Sequence, residues 1–129
     1  MEDLIIKPTN KSLSVKLTEG NLVFSGCSII NDPRTFFSPI LKWVENYGKN
    51  PSDETHVDIK FEYIDSASVK SFFEILKELN DATRKKKLNI SWHYDLDDPE
   101  ILELGEIIES KLNLQFNFVE YIEEEEEQG

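Results

Sequence analysis

Two serines stand where the sequence changes from a strand pattern to a helix pattern. Asp65, Ser66 and Ser68 follow an alternating apolar run and precede apolar residues at helical spacing. A side-chain oxygen at such a boundary accepts a hydrogen bond from a first-turn amide, which contributes about 1 kcal/mol and explains an Asp-Ser pair without any regulatory role. A serine hydroxyl there also suits phosphorylation, because the helix amides and the positive end of the helix dipole stabilise added negative charge. Both interpretations of Ser66 are open, and Ser68 is the alternative phosphorylation site.

A phosphate on this segment would act mainly on a bound partner. A phosphoserine carries about −1.5 to −2 charges, and burying that charge without a basic partner costs several kcal/mol. Since about 1.4 kcal/mol corresponds to a factor of ten in affinity, one phosphate can abolish binding while the domain stays folded. The predicted partner-binding residues are Tyr63, Asp65, Ser66, Ser68 and Lys70.

A second cluster of chemically active side chains contains Asp95, Asp97, Asp98 and Glu100. Carboxylates in this number can bind a divalent cation, but the glycine and the terminal glutamate of a calcium-binding loop are missing at the required spacing. The order Asp-Asp-Pro-Glu is instead typical of a helix start, where acids complement the helix dipole and proline fits the first position. We predict a helix start and no metal site, with a small metal-dependent or acid/base enzyme as the alternative.

The remaining candidates for catalysis are isolated. His56 and His93 lie on separate predicted strands, and neither has a second histidine at metal-ligand spacing. Cys27, the single cysteine, excludes an intramolecular disulfide and a multi-cysteine zinc site, and we interpret it as a small core residue. The chain has five glycines and shows neither a glycine-rich phosphate loop nor a nucleophile elbow. We predict a protein that is not an enzyme and has no cofactor.

Length and charge limit the remaining function classes. The chain has 129 residues and a net charge of −12, which suits one domain and disfavours binding to nucleic acid. A continuous apolar stretch of the roughly 18 residues needed to span a membrane is missing, and the single cysteine fits a reducing compartment. We expect a cytoplasmic protein that binds neither nucleic acid nor membrane, with one domain over residues 1–122. Residues 123–129 begin with five consecutive glutamates and are expected to form a disordered acidic tail.

The elements that position these residues follow from hydrophobic periodicity. Leu13, Val15 and Leu17 alternate with polar residues, and a turn at 19–21 leads into an apolar segment at 22–24, which predicts an antiparallel hairpin. Three further segments have helical spacing, and three more alternate as strands. The helical faces are Phe36, Ile40, Trp43, Val44 and Tyr47; Val69, Phe72, Phe73, Leu76 and Leu79; and Ile101, Leu104, Ile108 and Leu112. The strand residues are Val57, Ile59, Phe61 and Tyr63; Leu88, Ile90, Trp92 and Tyr94; and Leu114, Phe116 and Phe118, with Val119 and Tyr121 as a possible extension.

Strands and helices that alternate with short links require right-handed crossovers and hence a mostly parallel sheet. We predict an α/β fold: a single domain with a mixed sheet of about four or five strands, an N-terminal hairpin and three helices. Strands covered on both faces are continuously apolar, whereas here Asp58, Lys60 and Glu62 occupy alternate positions. One face of the sheet is therefore expected to be open to water or to a partner.

The serine segment and other segments resemble known families. Residues 63–68, Tyr-Ile-Asp-Ser-Ala-Ser, resemble the phosphorylation site of STAS-domain anti-sigma factor antagonists, although the glycine usual after the serine is missing. The chain resembles more closely the SiaC family of bacterial regulatory phosphoproteins, which are STAS-like. This resemblance extends over FFSPILKW at 36–43, residues 61–76, ISWHYDLDD at 90–98 and LELGE at 102–106.

The resemblance implies a STAS-like regulatory domain that is phosphorylated on one hydroxyl by a dedicated ATP-using kinase and restored by a PP2C-like phosphatase. In this family the unphosphorylated protein binds and activates a diguanylate cyclase, which raises cyclic-di-GMP signalling. The family's usual Asn-Thr-Ser-Ser is replaced here by Asp65-Ser66-Ala67-Ser68, so a hydroxyl is retained at Ser66. The resemblance thus favours phosphorylation of Ser66 and partner switching through a diguanylate cyclase or another signalling protein. An anti-sigma factor antagonist is the alternative function.

Overall fold

The computed structural model describes residues 1–123 of the chain. Within this range the chain forms six strands and three helices, and the helices alternate with the last four strands. The strands are β1 (Leu4–Ile6), β2 (Ser14–Thr18), β3 (Asn21–Ser28), β4 (Glu54–Ile64), β5 (Lys87–Asp95) and β6 (Asn117–Tyr121), and the helices are α1 (Pro33–Tyr47), α2 (Ser66–Ala82) and α3 (Pro99–Leu112). Of the predicted acidic tail, residues 124–129 lie outside the described residues.

The strand order in the sheet is the order in the chain. β1, β2 and β3 pair antiparallel, and β3, β4, β5 and β6 pair parallel. Each parallel connection contains one helix, and right-handed crossovers between successive neighbours place all three helices on the same face of the sheet. The predicted α/β fold, with a mostly parallel mixed sheet and three helices, is confirmed.

The predicted hairpin is formed by β2 and β3. Thr18 pairs with Asn21, so the turn consists of Glu19 and Gly20, and Gly20 has a φ of +85°, a conformation that favours glycine. The predicted count of about four or five strands is too low. The missed strand is β1, an edge strand of three residues that is too short to show an alternating pattern.

The core lies between the helices and one face of the sheet. Its largest buried side chains are Trp92, Tyr47, Phe24, Phe61 and Phe72. α3 approaches β5 closely at Gly105, where a Cβ atom would lie 2.5 Å from Nε1 of Trp92. The indole N–H of Trp92 donates to the carbonyl oxygen of Ile101 at 3.0 Å. This packing holds the first turn of α3 against β5.

The last strand begins later than predicted. Leu114 and Phe116 precede β6, and the N–H of Phe116 donates to a carboxylate oxygen of Glu109 at 2.7 Å rather than to a strand partner. Phe118 pairs with Trp92, and the predicted extension as far as Tyr121 is confirmed. The alternation at 114–116 therefore reflects the burial of a connecting segment.

The other face of the sheet carries polar side chains and is open, as predicted. Lys60 on β4 is exposed, and its Nζ lies 4.3 Å from the centroid of the Tyr121 ring on β6. Nε2 of His93 on β5 lies 3.0 Å from a carboxylate oxygen of Asp58 on β4. These pairs link β4 to β5 and to the edge strand β6 across the open face.

Candidate functional site

The serine segment predicted from the sequence lies where β4 passes into α2 through one linking residue, Asp65. Oδ1 of Asp65 accepts a hydrogen bond from the N–H of Ser68 at 2.8 Å, and its carbonyl oxygen accepts one from the N–H of Val69 at 2.9 Å. The N–H of Asp65 donates to the carbonyl oxygen of Ser28 at 3.0 Å, which ties the junction to the end of β3. The helix cap is therefore Asp65, and the hydroxyl of Ser66 is not needed for it.

Ser66 is the first residue of α2, and its side chain is exposed. The first amides of an α-helix have no acceptor within the helix, and the cap uses the amide of Ser68. The N–H groups of Ser66 and Ala67 therefore point toward negative charge placed just before the helix. A hydroxyl in this position is accessible to a modifying enzyme, and a phosphate on it lies at the positive end of the helix dipole.

Ser68 lies only two residues further on but is fully buried. Its Oγ accepts a hydrogen bond from Oγ of Ser28 at 2.8 Å, so the two hydroxyls connect the first turn of α2 to the end of β3. A phosphate on Ser68 would have to displace this buried pair. The buried pair gives Ser68 a positioning role, and of these two hydroxyls that of Ser66 is the exposed one.

Tyr63 is exposed because the pairing of β4 with β3 shifts just before it. Phe61 pairs with Gly26 and Tyr63 pairs with Cys27, so β4 advances two residues while β3 advances one. The shift ends the alternation of β4: Phe61 is buried, whereas the Tyr63 side chain is 52% exposed. A bulge of this kind redirects the side chain that follows it. Tyr63 thus reaches the surface next to the start of α2.

Lys70 completes the predicted set and lies one helical turn after Ser66. Its side chain is exposed, and residues four positions apart share one face of a helix. An open groove of about 570 Å³ begins beside it, between the first turns of α1 and α2. Arg34 and Thr35 line this groove from α1, and Lys70 lines it from α2. The contribution of α1 was not predicted from the sequence, although the crossover rule places the amino ends of successive helices at one edge of the sheet.

The sequence model of the family described as SiaC family regulatory phosphoprotein matches residues 6–121, which is most of the chain. The chain belongs to the SiaC family. The match includes the start of α2 and every segment on which the sequence resemblance depends.

Individual relatives of this SiaC-family chain come from Pseudomonas aeruginosa. An uncharacterised protein of strain UCBPP-PA14 is 26% identical over 109 residues, which cover 82% of this chain and 86% of that protein. The structure of apo-SiaC superposes with a TM-score of 0.80 at 24% identity and covers 93% of this chain and 98% of SiaC. SiaC in a complex described as diguanylate cyclase SiaD with its activator SiaC superposes with a TM-score of 0.83 at 23% identity, covering 92% and 100% of the two chains. These superpositions show that the chain has the SiaC fold.

The differences from the usual SiaC-family motif have a simple physical explanation at this site. Aspartate at 65 caps a helix as well as asparagine does, and serine at 66 keeps the hydroxyl of threonine. Ala67 is exposed, so the loss of a hydroxyl there leaves no buried polar group without a partner. Ser68 is retained at the one position where the hydroxyl is buried and hydrogen-bonded.

The acidic cluster takes part in local folding of the SiaC-family chain. Oδ1 of Asp98 accepts from the N–H of Ile101 at 3.2 Å and caps α3, as the sequence predicts. Oδ1 of Asp95 accepts from the N–H of Asp97 at 2.9 Å in the preceding turn. Within residues 1–123, no group of three or more His, Cys, Asp or Glu side chains is arranged to hold a metal ion.

Cys27 departs from its predicted position in the core. It is half-buried on the open side of the sheet, and its Sγ lies 3.6 Å from a carboxylate oxygen of Glu62. Partial burial, followed by the hydrogen bond and the charge of Glu62, raises the pKa of the thiol, which favours the protonated form.

The histidines lie apart on the sheet, with His56 near Glu54 and His93 near Asp58. In the described part of the chain, no helix has the length and apolar character needed to cross a membrane.

Proposed function

We propose that this SiaC-family chain is a cytoplasmic, non-enzymatic binding module controlled by phosphorylation of Ser66. A protein kinase that uses ATP adds the phosphate, and a PP2C-like phosphatase removes it. The unphosphorylated form binds and activates a diguanylate cyclase, and the phosphorylated form releases it. The anti-sigma factor antagonist remains the alternative, and it differs in the partner rather than in the switch.

The observation that carries this proposal is the contrast between the two serines of one helical turn. Ser66 is exposed at the first position of α2, whereas Ser68 is buried and paired with Ser28. In a family of regulatory phosphoproteins, an exposed hydroxyl that the fold does not use is the natural acceptor of the phosphate.

The phosphate is compatible with the fold but not with a partner packed on it. Positive charge near the phosphate comes from the first-turn amides of Ser66 and Ala67 and from the Lys70 ammonium one turn away. A partner that covers Ser66 without its own Arg or Lys would bury a charge of about −1.5 to −2, which costs several kcal/mol. The switch therefore acts on the complex and leaves the domain folded.

The switch consists of two phosphoryl-transfer steps, and neither uses a cofactor bound to this chain. In the forward step the Ser66 oxygen forms a bond to the γ-phosphorus of ATP and loses its proton, and ADP leaves. In the reverse step water takes up the phosphoryl group, the serine hydroxyl is restored and inorganic phosphate leaves.

The proposal for the partner depends on the likeness to SiaC. The SiaC chain in the complex with diguanylate cyclase SiaD has the same fold, and in that complex SiaC is the activator of SiaD. The superposition covers nearly the full length of both chains. A diguanylate cyclase of the same organism is therefore the first partner to test.

Phosphate transfer to defined variants tests the proposal. The full-length chain is incubated with an extract of its source organism and ATP, and mass spectrometry counts and maps the phosphates. One phosphate is expected on the wild-type chain and none on Ser66→Ala, whereas Ser66→Thr restores it. Ser110→Ala, which changes an exposed serine of α3, is the control and should be labelled like wild type. Equal labelling of Ser66→Ala, or mapping of the phosphate to Ser68, contradicts the assignment.

Capture on the immobilised, unphosphorylated chain tests the partner. A diguanylate cyclase should be recovered from the extract, and its activity should rise when the purified chain is added. Recovery of an anti-sigma kinase without a cyclase would favour the alternative function.

A further inference from the structure

Exposed apolar side chains collect at one edge of the sheet. The large apolar side chains that are exposed within residues 1–123 number eight, and four of them follow or end the four parallel strands. The carboxyl ends of parallel strands meet at one edge, which we call the carboxyl edge. Its apolar residues and their exposed fractions are Ile29 at 46%, Tyr63 at 52%, Leu96 at 51% and Ile122 at 65%. Single exposed apolar residues are ordinary, but a row of them across four strand ends is typical of an interaction surface.

Backbone pairing between β5 and β6 positions two residues of this row. Asp95 pairs with Tyr121, and the N–H of Leu96 donates to the carbonyl oxygen of Tyr121 at 2.9 Å, so Leu96 and Ile122 emerge side by side. Pairing of β4 with β5 ends at Ile59, five residues before β4 itself ends. The two strands therefore separate toward the carboxyl edge.

The separation opens a small acidic cleft between β4 and the last two strands. The cleft has a volume of about 250 Å³, and Tyr121 is one of the residues that line it. Its carboxylates come from Glu62, Asp95, Asp97, Asp98 and Glu123. Within residues 1–123, none of these five carboxylates lies within 4.0 Å of a Lys, Arg or His nitrogen. Partial burial, followed by the charges of Asp95, Glu123, Glu62 and Asp98, raises the pKa of Tyr121. The nearby cation is Lys60, whose Nζ lies 4.3 Å from the centroid of the Tyr121 ring.

We propose that the carboxyl edge binds a basic amphipathic helix of the partner protein. Apolar side chains of that helix pack on Tyr63, Leu96 and Ile122, and its Lys or Arg side chains enter the acidic cleft. This inference rests on the proposed function, because the partner is the one that senses Ser66, three residues after Tyr63. It specifies the chemistry of the segment that docks.

Geometry favours a helix as the docking segment. Strand ends present side chains rather than a row of free backbone groups, so a partner strand cannot extend the sheet there. β5 and β6 stay paired to their ends, and paired strands are about 4.8 Å apart, which is close to the rise of about 5.4 Å per helical turn. A helix lying across these two strand ends therefore meets Leu96 and Ile122 with successive turns and spans the cleft to reach Tyr63. Basic residues follow from charge complementarity with the cleft, whereas a second copy of this chain would bring the same negative charge.

The arrangement along the edge also explains how a phosphate acts on a basic segment. Ile29 and Tyr63 lie at the end nearest to Ser66, whereas the cleft lies between β4 and β6. A phosphate on Ser66 therefore faces the apolar side of the docked helix and is buried without a cation from the partner. The basic side chains of the helix remain in the cleft.

Two synthetic peptides of about 18 residues, five helical turns, test the surface without knowledge of the partner. Both carry leucine at helical spacing, and the other positions are lysine in one peptide and glutamate in its control. In NMR titrations of the full-length chain, the lysine peptide should shift the amides of Tyr63, Leu96 and Ile122, and its affinity should fall as NaCl is added. The glutamate peptide should cause no such shifts. Equal binding of both peptides, or shifts spread over other faces, overturns the proposal.

Matched variants show whether binding depends on this surface or on other exposed apolar residues. The double variant Leu96→Ser, Ile122→Ser should bind the lysine peptide and the cyclase with an affinity at least tenfold lower than wild type. The control combines Ile5→Ser on β1 and Ile107→Ser on α3, whose exposed fractions of 59% and 45% are comparable to those of Leu96 and Ile122, and it should bind like wild type. Asp97→Asn with Glu123→Gln should weaken binding several-fold and reduce its salt dependence.

The outcomes distinguish this inference from the proposed function. If the edge variants bind the cyclase like wild type while Ser66 is still labelled and still switches binding, the docking surface is wrong and the proposed function stands. If Ser66 is not labelled and no cyclase binds, but the lysine peptide still maps to the edge, the proposed function fails and the surface stands. A dimer of the free chain that the edge variants dissociate would show that a second copy occupies the surface, contrary to the proposal.

Discussion

The start of α2 and the start of α3 have the same cap but differ at the first helical position. In each helix the aspartate before the first residue accepts a hydrogen bond from the N–H three residues further on, at 2.8 Å for Asp65 and 3.2 Å for Asp98. α3 then begins with Pro99, and α1 also begins with a proline. Proline suits this position because its missing N–H has no acceptor in the helix. α2 begins with Ser66 instead.

The residue at the first helical position shows which groups a helix start needs for folding. Since an aspartate cap followed by proline is sufficient for α1 and α3, the hydroxyl of Ser66 adds nothing that a helix start requires. The hydroxyl is exposed, and the amide that proline would remove is retained beside it. The start of α2 therefore combines a structural cap with a group that is available for modification.

The largest expected effect is the loss of partner binding when charge is added at the start of α2. Ser66→Glu places a carboxylate where the phosphate would lie, and we expect its affinity for the cyclase to fall at least about tenfold, or about 1.4 kcal/mol. Pro99→Glu adds the same charge at the equivalent position of α3 and should change the affinity by less than about threefold. Isothermal titration of the two variants and wild type measures the difference.

The same two variants also test whether the position of the added charge matters. If Pro99→Glu weakens binding as much as Ser66→Glu, the partner responds to total charge at this edge of the sheet, and Ser66 has no special position. If neither variant weakens binding, the start of α2 lies outside the interface.

The capped helix starts were predictable from the sequence, but the separate roles of the two serines were not. Asp-Ser and Asp-Asp-Pro are local signals, because a cap involves only the next few residues along the chain. The burial of Ser68 depends on Ser28, which is 40 positions away and belongs to another strand. Nothing in residues 61–70 alone indicates that contact.

The exposure of Tyr63 has the same kind of explanation. The period of two in β4 predicts that Tyr63 lies on the same side as Phe61, and the register shift against β3 reverses this. The shift occurs beside Gly26, whose φ of +101° is accessible mainly to glycine. An isolated glycine within a strand pattern is a signal for such a bulge, so Gly26 could have indicated it. The open face and the order of elements, which depend on periodicity and short links, were predicted correctly.

A smaller effect, on stability, should distinguish the two serines of α2. Ser68→Ala leaves the buried hydroxyl of Ser28 without its partner, and we expect the free energy of unfolding to fall by about 1–3 kcal/mol. Ser66→Ala changes an exposed side chain outside the cap and should alter it by less than about 0.5 kcal/mol. Urea denaturation of both variants gives the two values.

A double-mutant cycle identifies the contact responsible. Ser28→Ala combined with Ser68→Ala removes both hydroxyls, so its effect should be smaller than the sum of the single effects. Strict additivity would show that the buried pair is not coupled, and the positioning role of Ser68 would then be wrong.

The smallest effects are expected from the caps themselves, because they are built alike. Asp65→Ala and Asp98→Ala should each lower the free energy of unfolding by about 1 kcal/mol, since each removes one side-chain acceptor from a first-turn amide. The two variants should differ in phosphate transfer. Loss of the Asp65 cap loosens the turn that presents Ser66 and should slow its labelling, whereas loss of the Asp98 cap should not. Kinase assays at a temperature at which both variants are folded measure this difference, and Asp65→Asn, which keeps an acceptor, should restore the rate. Equal slowing by Asp98→Ala would mean that labelling follows overall stability, and the start of α2 would then be no different from the start of α3.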